Sequence, residues 1–227
     1  MFNYFYNQNL RKLVVGFGSL FSNINVQHDN PEDTVSPLII RVPITYAPQE
    51  KFIRRLLETS SINDGTRIEN QLPRLSYMMS SVTPDPSRRR NKSNTSKTMV
   101  GSPGNCTGSS ANFITEEVPV NVSFSLFVYT RHLDDTLQIV EQIIPYFNPD
   151  HIITIDMNSA QSDVRIPITM LSNNISERYD GDFGNRRVNI SSFSFVAKSY
   201  IFGKIETQNV ISSVGPPGIS FDLNWNY

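Results

Sequence analysis

Cysteine is almost missing from this chain: Cys106 is the only one among 227 residues. A lone cysteine excludes an internal disulfide and a cysteine-rich metal site, and it suits a reducing compartment. Histidine is scarce as well, with three residues, and none of them has metal-ligand spacing to another. Charge of one sign is also lacking. Twenty basic residues stand against 21 acidic ones, a net charge of -1, so no strong overall field draws the protein to nucleic acid or to a membrane surface. No apolar run is long enough to span a bilayer. Arg11 and Lys12, followed by Leu13 to Phe21, have the outline of a signal peptide, but no small-residue cleavage site follows. There is no Walker-type loop, no G-x-S-x-G and no Cys/His framework.

The most informative stretch is 120–147, VNVSFSLFVYTRHLDDTLQIVEQIIPYF. Val120, Val122, Phe124, Leu126 and Val128 alternate with Asn121, Ser123 and Ser125, which is the period of a strand with one buried face. From Leu133 the period becomes helical. Leu133, Thr136, Leu137, Ile139, Val140, Ile143 and Ile144 fall within an arc of roughly 160° on a helical wheel. Asp134, Asp135, Gln138, Glu141 and Gln142 occupy the other side, so an acidic outer face is expected. Asp134 and Asp135 also sit in the first turn, where the helix dipole favours negative charge.

Leu10, Leu13, Val14, Phe17, Leu20 and Phe21 share an arc of roughly 120° and predict a retained amphipathic helix. Asn7 or Asn9 is a candidate cap for its start. Gly16 and Gly18 weaken this helix or permit close packing. Extended segments are expected at 24–27 and 38–46, the second edged or bulged by Pro43, and a helix at 48–59 with Pro48 in its first turn. Further extended segments follow at 67–82, 151–157, 164–171 and 187–201. In the last of these the alternation slips, and a bulge at Ser191-Ser192 would restore one face. His28 reads as isolated in a loop.

Between Pro84 and Thr115 apolar periodicity disappears, and Arg88, Arg89, Arg90, Lys92 and Lys97 form a basic cluster. A flexible insertion loop is predicted there. Its cations either contact phosphate or an acidic partner, or are a solvated surface. After about residue 205 the chain ends in Phe221, Leu223, Trp225 and Tyr227, a set that reads as the anchors of an arm packing on something else. The expected organisation is a single α+β domain over 1–205, with 84–115 as its loop, and a C-terminal arm over 206–227.

Catalytic constellations are poor. His132-Leu133-Asp134-Asp135 sets an imidazole beside two carboxylates, as a metal-dependent hydrolase would need. On a helix, however, the two aspartates lie about 100° apart and His132 lies on neither face, so they would not converge. Asp180-Gly181-Asp182 lacks the ligand spacing and closing glutamate of a calcium loop. No catalytic residue, metal site or cofactor is expected. On physics alone the chain reads as a structural or binding protein.

The opening Met1-Phe2-Asn3-Tyr4-Phe5-Tyr6-Asn7 and Leu20-Phe21-Ser22-Asn23-Ile24 resemble the start of the tail sheath stabiliser family of T4-like contractile-tailed bacteriophages, also called tail completion or tail terminator proteins. The resemblance continues through 41–47, 72–74, 129–131, 134–135, 138–143, 145–147 and 180–182 with Arg186-Arg187. It implies a tail-terminator-like fold, a twisted and largely antiparallel sheet with amphipathic helices packed on it. It also implies a virion protein at the tail-neck junction, assembled in the host cytoplasm as a homohexameric ring. Such a ring would cap the tail tube and sheath, end their polymerisation and join the tail to the neck and head-completion proteins. Genomic DNA would pass through it without sequence-specific binding, and no membrane is involved. Within that frame Asp134, Asp135 and Glu141 are candidate partners for Arg41, Arg74, Arg131, Arg186 or Arg187 of an adjacent subunit. The stretch 84–115 and the region after Ile205 do not match the family pattern. Arg88, Arg89, Arg90, Lys92 and Lys97 are therefore candidate DNA-channel or partner contacts on their charge alone. The competing readings are a nucleic-acid-binding protein using that cluster, and a metal-dependent hydrolase using His132, Asp134 and Asp135.

Overall fold

Period-two and period-3.6 patterns translate into an α+β fold dominated by sheet. The computed structural model describes residues 4–28, 37–50, 72–91, 95–99, 110–115, 117–156, 164–179, 187–203 and 205–209. The elements in chain order are α1 (Asn9–Leu20), β1 (Asn25–His28), β2 (Leu38–Arg41), β3 (Ile44–Tyr46), β4 (Arg74–Pro84), β5 (Thr95–Met99), β6 (Ser110–Thr115), β7 (Val118–Thr130), α2 (Leu133–Ile143), β8 (His151–Ile155), β9 (Val164–Tyr179), β10 (Arg187–Ile201) and β11 (Ile205–Asn209). They form two compact units, one built from 8–85 and 120–199, the other from 1–7, 86–119 and 200–227.

The larger unit holds a six-stranded sheet in the order β3-β4-β7-β10-β9-β8 and a separate β1-β2 ribbon. The sheet is mixed, because β3 runs parallel to β4 whereas β4-β7, β10-β9 and β8-β9 are antiparallel. Helix α1 lies against both β3 and β8, which are opposite edges of the sheet, so the sheet curls around it. Leu13 and Phe17 of α1 are fully buried. The Phe17 ring stacks on Phe124 with centroids 4.3 Å apart and meets Phe195 edge-on at 5.4 Å, the two geometries that the aromatic quadrupole favours. A Cβ on Gly18 would run into the Tyr77 ring, and one on Gly16 would touch Ile155 at 3.2 Å. Both glycines thus serve close packing. Neither asparagine caps α1. Gln8 is the capping residue, with φ 57° and no side-chain cap bond, while the Asn7 amide donates to the Phe202 and Gly203 carbonyls at 3.1 Å each.

Several expected elements take a different form. The 38–46 segment is split at Val42-Pro43 into β2 and β3, which belong to different sheets. Proline has no N–H to give to a ladder, and here the Pro43 carbonyl instead accepts from Leu75 N at 2.9 Å. The helix expected at 48–59 falls largely outside the described residues, with Gln49 and Glu50 helical. No bulge occurs at Ser191-Ser192. Asn189, Ser191, Phe193, Phe195, Ala197 and Ser199 are all buried in one unbroken phase. The apparent slip has another cause: Ile190 packs with Tyr129, flanked by Leu72, Phe127 and Val188, in a small second core. The register shift lies between Ser194 and Phe195 instead.

In the smaller unit β11, β6 and β5 form a three-stranded antiparallel sheet. The 84–115 stretch, expected as a loop without regular structure, therefore carries two strands. The first of the residues assigned to a terminal arm form β11 against β6. These strands read SANFIT, TSKTM and IETQN, sequences with too little apolar alternation to announce themselves. Residues 210–227, with the anchors Phe221, Leu223, Trp225 and Tyr227, lie outside the described residues.

Candidate functional site

The 160° apolar arc of α2 is too wide for one contact surface, and the structure divides it. Thr136, Ile139, Val140 and Ile143 are buried, whereas Leu133, Leu137 and Ile144 are 44%, 44% and 40% exposed. The Thr136 hydroxyl meets that of Thr130, which in turn donates to the His132 carbonyl at 3.0 Å. That pair ties the first turn of α2 to the end of β7, since His132 offers no side-chain cap.

The polar face of α2 is not simply solvated. Gln138 and Gln142 lie one turn apart and use their side-chain amides as a strand would use its backbone. Gln138 Oε1 accepts from Gln27 N at 2.9 Å, and its Nε2 donates to Gln27 O at 3.0 Å. Gln142 repeats this with Asn25, its Nε2 donating to Asn25 O at 2.7 Å. Strand β1 is thereby held between β2 on one edge and two helical glutamines on the other. At its end, His28 Nε2 lies 2.7 Å from Asp135 Oδ1. The Asp135 side chain is 4% exposed and that of His28 34%. A carboxylate buried to this degree needs such a partner. Gln27, His28, His132, Asp134, Asp135 and Gln138 line an open polar cleft.

Two expectations are corrected here. Asp135 does not belong to an acidic outer face: it is buried and pairs with His28 at the end of β1. His28 is not isolated in a loop but ends β1 and pairs with Asp135. Asp134 stays exposed and accepts from Gln138 Nε2 at 2.8 Å, and Glu141 is exposed. Although both aspartates line the cleft, no group of three His, Cys, Asp or Glu among the described residues is arranged to hold a metal ion.

The described candidate arginines have different surroundings. Arg41 is committed to its own chain, donating from Nε and Nη2 to the Ser22 carbonyl at 2.9 and 2.7 Å. Arg74 is half-buried, and its Nε has no acceptor among the described residues. Arg131 is exposed. Arg186, Lys92 and the side chains of Arg187 and Lys97 lie outside the described residues. In the smaller unit the Arg88 guanidinium sits over the Tyr200 ring, 5.4 Å from its centroid, while Arg89 and Arg90 are exposed. Among the described residues these charges thus keep surroundings of their own. The residues that do come together, Gln138, Gln142, His28 and Asp135, had only a faint signal in the sequence: two glutamines four apart on a helix.

What the geometry defines is a protein of surfaces and clamps, in which α2 presents leucines and an acidic flank outward. The sequence places it more closely. It matches the T4-like virus Myoviridae tail sheath stabiliser family over residues 4–222, and it is 32% identical over 213 residues to the tail completion protein gp15 of Enterobacteria phage T4, covering 91% of this chain and 75% of that protein. The chain belongs to the tail sheath stabiliser family and is a structural phage tail protein of the virion. No helix among the described residues is long and apolar enough to cross a membrane.

Proposed function

We propose that six copies of this chain form a closed ring that caps the tail tube and sheath, ends their polymerisation, and offers its other face to the neck and head-completion proteins. Genomic DNA passes through the centre without sequence-specific contacts, and the ring assembles in the host cytoplasm with a tail-terminator-like arrangement of its sheet. The observation that carries this reading is the family match, which runs through nearly the whole chain. The exposed leucines of α2 support it, because a ring needs a surface that a second copy can cover. Arg74, whose buried Nε has no acceptor among the described residues, and the exposed Arg131, Asp134 and Glu141 are charges available to orient neighbours, a task to which charge contributes more than affinity.

The test is to add purified protein to tails assembled without it and to measure tail length and sheath integrity by electron microscopy. Capped tails of uniform length with intact sheaths are expected. Tails that keep growing, or shed their sheath as fast as untreated ones, contradict the proposal.

A further inference from the structure

Leu133, Leu137, Val140 and Ile144 are spaced four, three and four residues apart, which sets them in one seam down α2 within roughly 60° of the wheel. Three of the four are exposed by 40% or more. This is the spacing of a helix that packs against a partner. The partner is not α2 of a second copy. In an antiparallel pairing the flanking Asp134 of one helix would face Glu141 of the other, and like charges so placed repel. The seam calls for an apolar surface with a basic flank.

The same unit carries one. On the β8-β9 ribbon, Ile153, Ile155, Ile166 and Ile168 turn inward and are buried. The opposite face presents Ile152, 57% exposed, beside Pro167, and Thr154 beside Arg165. Arg165 and Thr154 are exposed as well. Arg165 and Glu141 form no ion pair among the described residues. The exposure of Ile152, Thr154 and Arg165 leaves this face open among the described residues. Among other exposed cations of this unit, Arg131 adjoins the acidic helix itself, Arg11 stands beside Val15 on α1, and Arg41 is engaged by the Ser22 carbonyl.

We propose that the α2 seam of one copy docks on the outer β8-β9 face of the next, with Leu137 and Ile144 against Ile152 and with Glu141 paired to Arg165. Seam and ribbon are different patches, so the contact is heterologous and repeats around a ring. This inference rests on the ring reading and names the surfaces that build it.

Charge exchange tests it. Glu141→Arg and Arg165→Glu each raise the concentration at half-assembly by about tenfold or more, and the double variant restores it toward wild type. In a Cys106→Ser background, Leu137→Cys and Ile152→Cys give covalent dimers when mixed but not when oxidised separately. If the ring forms and the single reversals leave it unchanged, or the double variant is no better than either, the contact is overturned while the ring stands. Covalent dimers of Leu137→Cys alone would overturn it in favour of pairing between two α2 helices. A wild-type chain that is monomeric alone and on tails overturns the ring reading and this contact with it.

Discussion

Asp135 and His28 stand 107 positions apart in the chain and 2.7 Å apart in the fold. Removing one leaves the other stranded. For Asp135→Ala or His28→Ala the expected loss of stability is about 1–3 kcal/mol, read from denaturant midpoints. The double variant should cost clearly less than the two single losses added together, and full additivity would show that the pair contributes nothing. Tyr129 supplies a second test at this scale. Burial raises its pKa above 10.0, and the hydrogen bond from Ser76 partly offsets the shift. Tyr77 is raised as well, by burial and by Tyr46. Below pH 10 each phenol is protonated in both the folded and the unfolded chain and adds no pH dependence. Above it the unfolded chain loses its proton first, so stability falls as pH rises through the folded value. Unfolding free energies measured from pH 8 to 11 should drop at the alkaline end, and Tyr129→Phe should flatten that drop. An unchanged slope in the variant would contradict the assignment.

The ribbon β1-β2 shows how an element is placed by side chains rather than by its own hydrophobicity. Gln138→Ala with Gln142→Ala removes the amides that hold one edge of β1. Hydrogen exchange at the Asn25 and Gln27 amides is expected to speed up by about tenfold or more, while α1 and the sheet core keep their protection. Equal exchange in wild type and variant would mean that the glutamines do not hold the strand. The same element marks a limit of the sequence. Helices α1 and α2 and strand β7 are legible because their apolar periods are clean. The β1-β2 ribbon was legible as extended chain, but not as the element that pairs with Asp135, since nothing local links residue 28 to residue 135. Strands β5, β6 and β11 were not legible because strands with so little apolar alternation read as loop. The slip in β10 is visible in the sequence, but its cause is not. Alternation alone does not tell a bulge from a strand with Ile190 packed on its second face.

At the scale of the whole molecule, family membership came through blocks of residues scattered along the chain, whereas the contact surfaces needed the fold. The exposed half of α2 is the clearest case, because burial of the whole arc is what the sequence predicts. The basic cluster yields an expectation of its own. With Arg88 engaged by Tyr200, filter binding of double-stranded DNA should show weak affinity and a shallow salt dependence. Replacing Arg88, Arg89 and Arg90 by alanine should change little. Tight binding at physiological salt that the triple variant abolishes would instead favour a nucleic-acid-binding role.

The most direct test of the account is the copy number of the assembled protein, from light scattering of the purified chain and from counting subunits on tails that lacked it. The account predicts six copies in a closed ring at the tail end. A single copy in solution, with no ring on any tail, would contradict it.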